Sequence, residues 1–239
     1  MRAGDNACTL HDMTALLTIT SLPNALAEAW ESGIPVAMPP AGLLPADLPA
    51  AEDMAAELTG LLSLPICGVR VTEAGLLGPL PPARLVTSGV TLPLGALPHG
   101  MAAPALIGVL AEALDPDGEG APVFSALHPG LDLSASRFQD GPPDEAALVA
   151  DLLGLGHVVA GAAGPVVLPT ACALGGEAAA LELELEPLLL RAAHATRRAG
   201  GLPAGAVVVL VLAGRSAPVG TGDITADWPG LGQAGATIG

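Results

Sequence analysis

Leu202-Pro-Ala-Gly205-Ala-Val-Val-Val-Leu210-Val-Leu212-Ala-Gly-Arg-Ser-Ala-Pro218-Val-Gly-Thr-Gly222-Asp223-Ile-Thr-Ala226-Asp227-Trp228-Pro-Gly230-Leu-Gly232 decides the fold. Its unbroken apolar run from Ala206 to Leu212 is too short for a helix of ordinary length and too uniform for a strand with one wet face, so it predicts a strand buried on both sides. A loop rich in Gly, Ser and Pro follows, and a second buried strand leads to Trp228, with Gly222-Asp223 expected to make the turn between them. Working outward, Leu85 to Leu97 reads as short strands joined at Thr87-Ser-Gly89. His99 to Leu114 and Phe124 to Phe138 supply further apolar segments. Leu181-Glu-Leu-Glu-Leu-Glu186 alternates with period two and predicts a half-exposed strand with its three acids on one face.

Helices are expected before and after this β-rich body. Leu22, Ala25, Leu26, Ala29 and Trp30 recur at helical spacing, Pro23 suits a first turn, and Gly33 marks the end. Ala50 to Leu62 predicts a second helix, with Met54, Leu58, Leu61 and Leu62 on one face and Glu52, Asp53 and Glu57 opposite. A third is expected from Pro187 to Arg198, its arginines near the C-terminal end where cations suit the dipole, stopped by Gly200-Gly201. The expected division is a loose arm over 1–21, a small helical region over 22–66, and a β domain over 67–239.

Composition removes whole classes of function. The net charge is −16 and all eight basic residues are Arg, so no basic patch for nucleic acid can be assembled. Without lysine there is no Schiff-base chemistry and no lysine general base. A mean hydropathy of +0.59 raises the question of a membrane. The long uncharged runs Leu85–Ala111 and Leu152–Gly176 are, however, broken repeatedly by Pro and Gly, and read as buried sheet and turns. With no signal-peptide pattern at Met1–Asp5, a cytoplasmic location is expected. Cys8, Cys67 and Cys172 lack CxxC spacing and fit reduced thiols. Asp115, Asp117 and Glu119 share the spacing of a calcium loop but lack its closing Glu, and read as a solvated turn.

The stretch from Leu202 to Gly232 resembles, without a gap, Leu-x-Ala-Gly-Asp-Val-Val-Leu-Thr-Gly-Ser-Leu-Thr-x-x-x-Pro-Val-x-x-Gly-Asp-x-x-x-Ala-Asp-Phe-x-x-Leu-Gly of the 2-keto-4-pentenoate hydratase and 4-oxalocrotonate decarboxylase family, within the fumarylacetoacetate hydrolase superfamily. Three further segments are similar in the same order. His128-Pro-Gly-Leu-Asp132 through Ser136-Arg137-Phe138 resembles His-Pro-Ala-x-Glu-x-x-Asp-Ser-Arg-Phe, and Ala150-Asp151 through Gly161 resembles Ala-Asp-Asn-x-x-x-Gly-x-Phe-Val-x-Gly. The segment from His99, with Ala103-Pro104-Ala105, resembles His-Pro-x-x-Glu-Pro-Glu-Ile-Ala-Phe-x-Leu. The resemblance implies an α+β fold: a mixed, curved β-roll of the fumarylacetoacetate hydrolase C-terminal type with a small helical N-terminal region, assembled as oligomers. It also implies a lyase that polarises a 2-oxo acid through Mg²⁺ or Mn²⁺ and a lysine.

The residues depart from that chemistry where it matters. The positions that the resemblance assigns to metal ligands read Ala103, Ala105 and Asp132, so no metal and no cofactor is expected. A lone carboxylate does not supply the several charged oxygens a hard divalent ion wants. Arg70 stands at the lysine position; its fork can hold a carboxylate but cannot accept a proton. Polar pocket positions read Leu152 and Leu155, and Thr-Gly-Ser reads Leu210-Val211-Leu212. Two readings stay open. One is a metal-free lyase on a small carboxylate, with Arg70, Ser136 and Arg137 binding it and Asp132, His128 or Asp151 as acid or base. The other is a non-catalytic homologue, acting as a binding protein or as a subunit in a homo-oligomer or in a hetero-oligomer with a related chain. A cavity ringed by Arg70, Asp132 and Asp151 would favour the first; one filled by Leu152, Leu210 and Leu212 would favour the second.

Overall fold

A computed structural model describes residues 21–175, 181–182 and 184–239. The loose arm expected over 1–21 lies outside them except for Ser21. Ser21 caps helix α1 (Leu22–Ser32) by accepting from the Asn24 amide, and Gly33 closes it in the left-handed conformation at φ 72°, as the Pro23 and Gly33 signals require. Helix α2 (Leu48–Leu61) begins two residues earlier than its periodicity indicates because Asp47 accepts from the Ala50 amide and Pro49 suits the first turn. It buries Ala51, Ala55 and Leu58, while Leu61, expected on the apolar face, is 46% exposed. The chain then runs through β1 (Gly68–Thr72), β2 (Leu77–Leu80), β3 (Leu85–Thr87), β4 (Val90–Leu92), β5 (Met101–Leu110), β6 (Phe124–Leu133), α3 (Glu145–Ala150), β7 (His157–Ala160), β8 (Ala171–Leu174) and β9 (Leu181–Glu182). It finishes with α4 (Leu185–Arg198), β10 (Val207–Val211), β11 (Ala217–Pro218), β12 (Gly222–Trp228) and β13 (Gly232–Ile238).

Among the described residues these strands form two sheets. The larger runs β2-β1-β10-β5-β6-β7-β3, with β11 also on β5, and mixes parallel and antiparallel pairs. The smaller runs β4-β13-β12-β8-β9. Between them lies the main core, with Leu106, Leu131 and Leu210 from one sheet against Ala226, Trp228 and Ile238 from the other. The mixed, curled sheet with few helices is an α+β roll, as the resemblance implied. On its opposite face the larger sheet carries Ala103, Ala105, Ile107, Val158, Val209 and Val211. Helices α1, α2 and α3 share a separate apolar cluster with Phe138, Leu152, Leu153 and Leu155.

Several expectations are corrected by this topology. The strands either side of Thr87-Ser-Gly89 do not pair with each other: β3 lies on β7 and β4 on β13, so the turn carries the chain from one sheet to the other. Likewise β10 and β12 sit in different sheets, and Gly222-Asp223 opens β12 rather than turning; the hairpin turn is at Pro229-Gly230, before β13. The Leu-Glu alternation ends as strand at Glu182, and α4 is under way at Leu185, two residues before Pro187. Pro187 at the third helical position is compatible with that start, because the first-turn amides have no helical partner to lose. Close approach of β1 and β10 explains Gly68: a Cβ there would come 1.9 Å from the Val207 carbonyl oxygen, which is backbone and cannot rotate away. Gly68→Ala should therefore cost about 3 kcal/mol, the upper end for overpacking, as measured by chemical denaturation; a loss under about 0.5 kcal/mol would mean the two strands can part.

Candidate functional site

The larger sheet presents a cavity of about 260 Å³ on the face away from the main core. Alternation along each strand builds its floor. On β1, Val69 and Val71 face the core packed by α4, which leaves Arg70 and Thr72 on the cavity side. On β10, Leu210 belongs to the core between the sheets, and Val211 lines the cavity. On β5, Ala103 lines the cavity, Ala105 lies buried on the same face, and Ala103 stands directly across from Asp132 on β6. The three positions that the family resemblance assigns to metal ligands are therefore neighbours on one face. Met101, His99, Ser134 and Leu153 complete the walls.

Arg70 and Asp132 close on each other across two intervening strands, β10 and β5. Three strand spacings amount to roughly 14 Å on a flat sheet, so the pair needs the curl of this one. The contact is a bidentate fork: Arg70 Nε donates to Asp132 Oδ1 at 2.8 Å and Nη2 donates to Oδ2 at 2.7 Å. The residues are 1% and 2% exposed. Arg70 Nη1 donates to the Leu153 carbonyl at 3.1 Å and lies 3.5 Å from that of Leu152. Those carbonyls are aimed by an unusual backbone: Leu152, Leu153 and Gly154 are all left-handed, at φ 52°, 57° and 58°. For the two leucines that conformation costs roughly 1–2 kcal/mol each; the charged hydrogen bonds to Arg70 offset it. Ala103, directly across from Asp132, puts only a methyl group on the cavity floor beside the pair.

The other predicted site residues lie elsewhere. Asp151, 0% exposed, accepts from the Arg137 amide at 2.9 Å through Oδ2, while its Oδ1 stands 3.6 Å from Arg137 Nε. Burial pushes the Asp151 carboxyl up to about 6, against the pull of the Arg137 charge and amide. Burial likewise brings Arg137 down to about 10, against the attraction of Asp151. Arg137 donates Nη1 to the Ala135 carbonyl and Nη2 to that of Leu155. Asp151 is thus engaged with Arg137, and neither lines the sheet cavity. Ser136 does line it, and its hydroxyl accepts from the Phe138 amide at 3.1 Å. His128 is half-buried with Nδ1 2.9 Å from the Gly161 carbonyl oxygen, also outside the cavity. Leu210 and Leu212 pack in the core between the sheets and Leu152 among the helices, so none of the three fills it. Thr72 and Ser134 were legible two residues on from Arg70 and Asp132, by strand alternation.

A divalent ion does not fit the groups at this floor. Asp132 is the carboxylate that faces the cavity, and both its oxygens are committed to Arg70. Among the described residues no group of three or more His, Cys, Asp or Glu side chains is placed to hold a metal. No helix among them is long and apolar enough to cross a membrane.

Comparison with known proteins places the fold and leaves the chemistry open. No family model matches the chain, and no curated protein matches it in sequence. Among solved structures, the chain is similar to 4-oxalocrotonate decarboxylase from Pseudomonas putida G7 complexed with magnesium and adipate, at TM-score 0.72 and 20% identity over 90% of this chain and 97% of that one. The same enzyme complexed with calcium and acetate matches at TM-score 0.69 and 17% identity, over 90% and 95%. A 2-hydroxyhepta-2,4-diene-1,7-dioate isomerase from Mycobacterium marinum matches at 0.52 and 16%, over 73% and 76%. The architecture is shared across nearly the full length of the decarboxylase.

Proposed function

We propose that this chain is a divergent member of the hydratase and decarboxylase family in which the Arg70–Asp132 ion pair has taken the place of the divalent metal, leaving a lyase scaffold for small 2-oxo acids that is non-catalytic or independent of metal. The observation that carries this reading is the bidentate fork itself: the guanidinium puts a fixed positive charge on Asp132, opposite Ala103, where the resemblance places a cation. A guanidinium neutralises a carboxylate but offers no open coordination position, so it cannot hold two oxygens of a substrate and polarise its carbonyl as a Lewis acid would. Ala103 points the same way, since it puts a methyl group on the cavity floor where the resemblance places a metal-binding carboxylate. The alternative is a metal-free lyase in which Arg70 clamps a substrate carboxylate and Asp132 moves a proton. It is less well supported, because Arg70 already spends Nε, Nη1 and Nη2 on the protein. A role as a cytoplasmic subunit in a homo-oligomer, or beside a related active chain, belongs to the same reading.

The test is elemental analysis of the purified protein after incubation with Mg²⁺ and Mn²⁺, together with thermal melting with and without each ion. We expect no stoichiometric metal and no change in midpoint, because an ion that binds only the folded state must raise it. A bound equivalent of metal with a raised midpoint would sink the proposal.

A further inference from the structure

Behind the sheet cavity lies a second one of about 180 Å³, which shares Ala135 and Ser136 with it and faces the other way, toward α1. Trp30, Arg84, Ser136 and Arg137 line it. The guanidinium carbons of Arg84 and Arg137 lie 4.6 and 3.9 Å from the centroid of the Trp30 ring. His157 Nε2 lies 3.3 Å from Arg84 Nη1, and burial together with the two arginines lowers the imidazole's pKa, so it stands beside them as a neutral neighbour. Against these stands, among the described residues, a single carboxylate, that of buried Asp151, 3.6 Å from Arg137 Nε. Arg84 has no carboxylate partner among the described residues. In a chain of net charge −16 with eight basic residues, an arginine in a cavity without an acid, beside a second one, is the reverse of what chance would supply. Buried Trp30 Nε1 also lacks a hydrogen-bond partner there.

We propose that this second cavity binds a small oxyanion, the carboxylate of a short organic acid or inorganic phosphate, with Arg84 as its anchor. With Nη1 engaged by His157, Nε and Nη2 of Arg84 match two oxygens of either anion, and Trp30 holds the guanidinium plane by stacking. Arg137 contributes charge rather than hydrogen bonds, because its terminal nitrogens already donate to the carbonyls of Ala135 and Leu155. An anion here would lower the repulsion between Arg84 and Arg137. The proposal does not depend on whether the sheet cavity has lost its metal.

The experiment is a titration of the intact protein with succinate and with phosphate, at ionic strength held constant with chloride. It is read by calorimetry and by tryptophan emission. Trp30 reports on the cavity, whereas Trp228, the other tryptophan, is buried between the sheets with its Nε1 on the Gly130 carbonyl and supplies a constant background. Saturable binding at one equivalent is expected, weakened at least about tenfold in Arg84→Gln and less in Arg84→Lys, which keeps the charge and loses the fork. Binding of succinate but not phosphate assigns the site to organic acids; the converse assigns it to phosphate. No saturable binding of either anion, or equal affinity in wild type and Arg84→Gln, overturns the proposal.

Discussion

Arg70→Ala is expected to lose about 3–5 kcal/mol of stability, because it leaves the Asp132 carboxylate buried with no counter-charge. For a chain of this size that is a fall in melting temperature on the order of 10 °C. The size of the effect follows from burial rather than from the attraction of the pair. At 1% and 2% exposure both groups have surrendered their water, and their fork returns most of that cost only while both are present. Two companion variants separate the explanations. Arg70→Met with Asp132→Leu removes both charges together and should recover most or all of the loss, since a packed apolar pair is often as stable as a buried ionic one. Adding millimolar Mg²⁺ or Mn²⁺ to Arg70→Ala should restore nothing, because one carboxylate opposite Ala103 does not make a site for either ion. A loss below about 1 kcal/mol for Arg70→Ala would mean that water reaches the pair, as at an exposed salt bridge. Recovery on adding metal would mean that Asp132 holds a cation once the guanidinium is gone.

What could be read from the chain, and what could not, divides along a physical line. The strand from Val207 to Val211 and the helix from Leu22 to Ser32 were legible because their signals are local: an uninterrupted apolar run in one case, helical spacing with Pro23 and Gly33 in the other. The phase of β10 was not legible. Leu210-Val211-Leu212 is apolar throughout, so nothing in it tells which side chain faces the cavity; the neighbours Val71 and Leu106 set that by register. The Leu-Glu repeat after Leu181 misled for the opposite reason. Three Leu-Glu repeats are also compatible with the start of an amphipathic helix, and α4 takes the residues from Leu185 onward. At the site, Arg70 and Asp132 were each singled out, but their union across 62 residues of sequence depends on strand order β1-β10-β5-β6, which no segment carries in itself. The same holds for Trp30, Arg84 and Arg137, brought together from α1, a turn before β3 and the segment after β6.

Asp151 is expected to make the folded state lose stability as pH rises through about 6. Its carboxyl ionises near 3.8 in an unfolded chain and near 6 in the folded one, so between those values the folded protein binds the extra proton. Stability from this group is fully present below the lower value and is gone above the higher one, the reverse of the usual buried carboxylate beside a strong cation. Two pKa units correspond to about 3 kcal/mol at most. The geometry explains the direction. Asp151 takes one good hydrogen bond, from the Arg137 amide at 2.9 Å, while its second oxygen sits 3.6 Å from Arg137 Nε with no hydrogen bond, so burial outweighs the attraction. Asp132, held by two bonds of 2.7 and 2.8 Å, shows the tighter alternative on the same scaffold. The measurement is the difference in unfolding free energy between wild type and Asp151→Asn from pH 4 to pH 7.5. Asparagine cannot ionise, so the difference removes the titration of every other acid and leaves that of Asp151. Wild type should lose ground to the variant as pH rises, by up to about 1.4 kcal/mol per unit between 4 and 6, and the difference should level off above 7. A difference that is flat across the range would show that Asp151 titrates alike in both states. A difference that grows in favour of wild type with pH would show that Arg137 holds the carboxylate more strongly than burial opposes it.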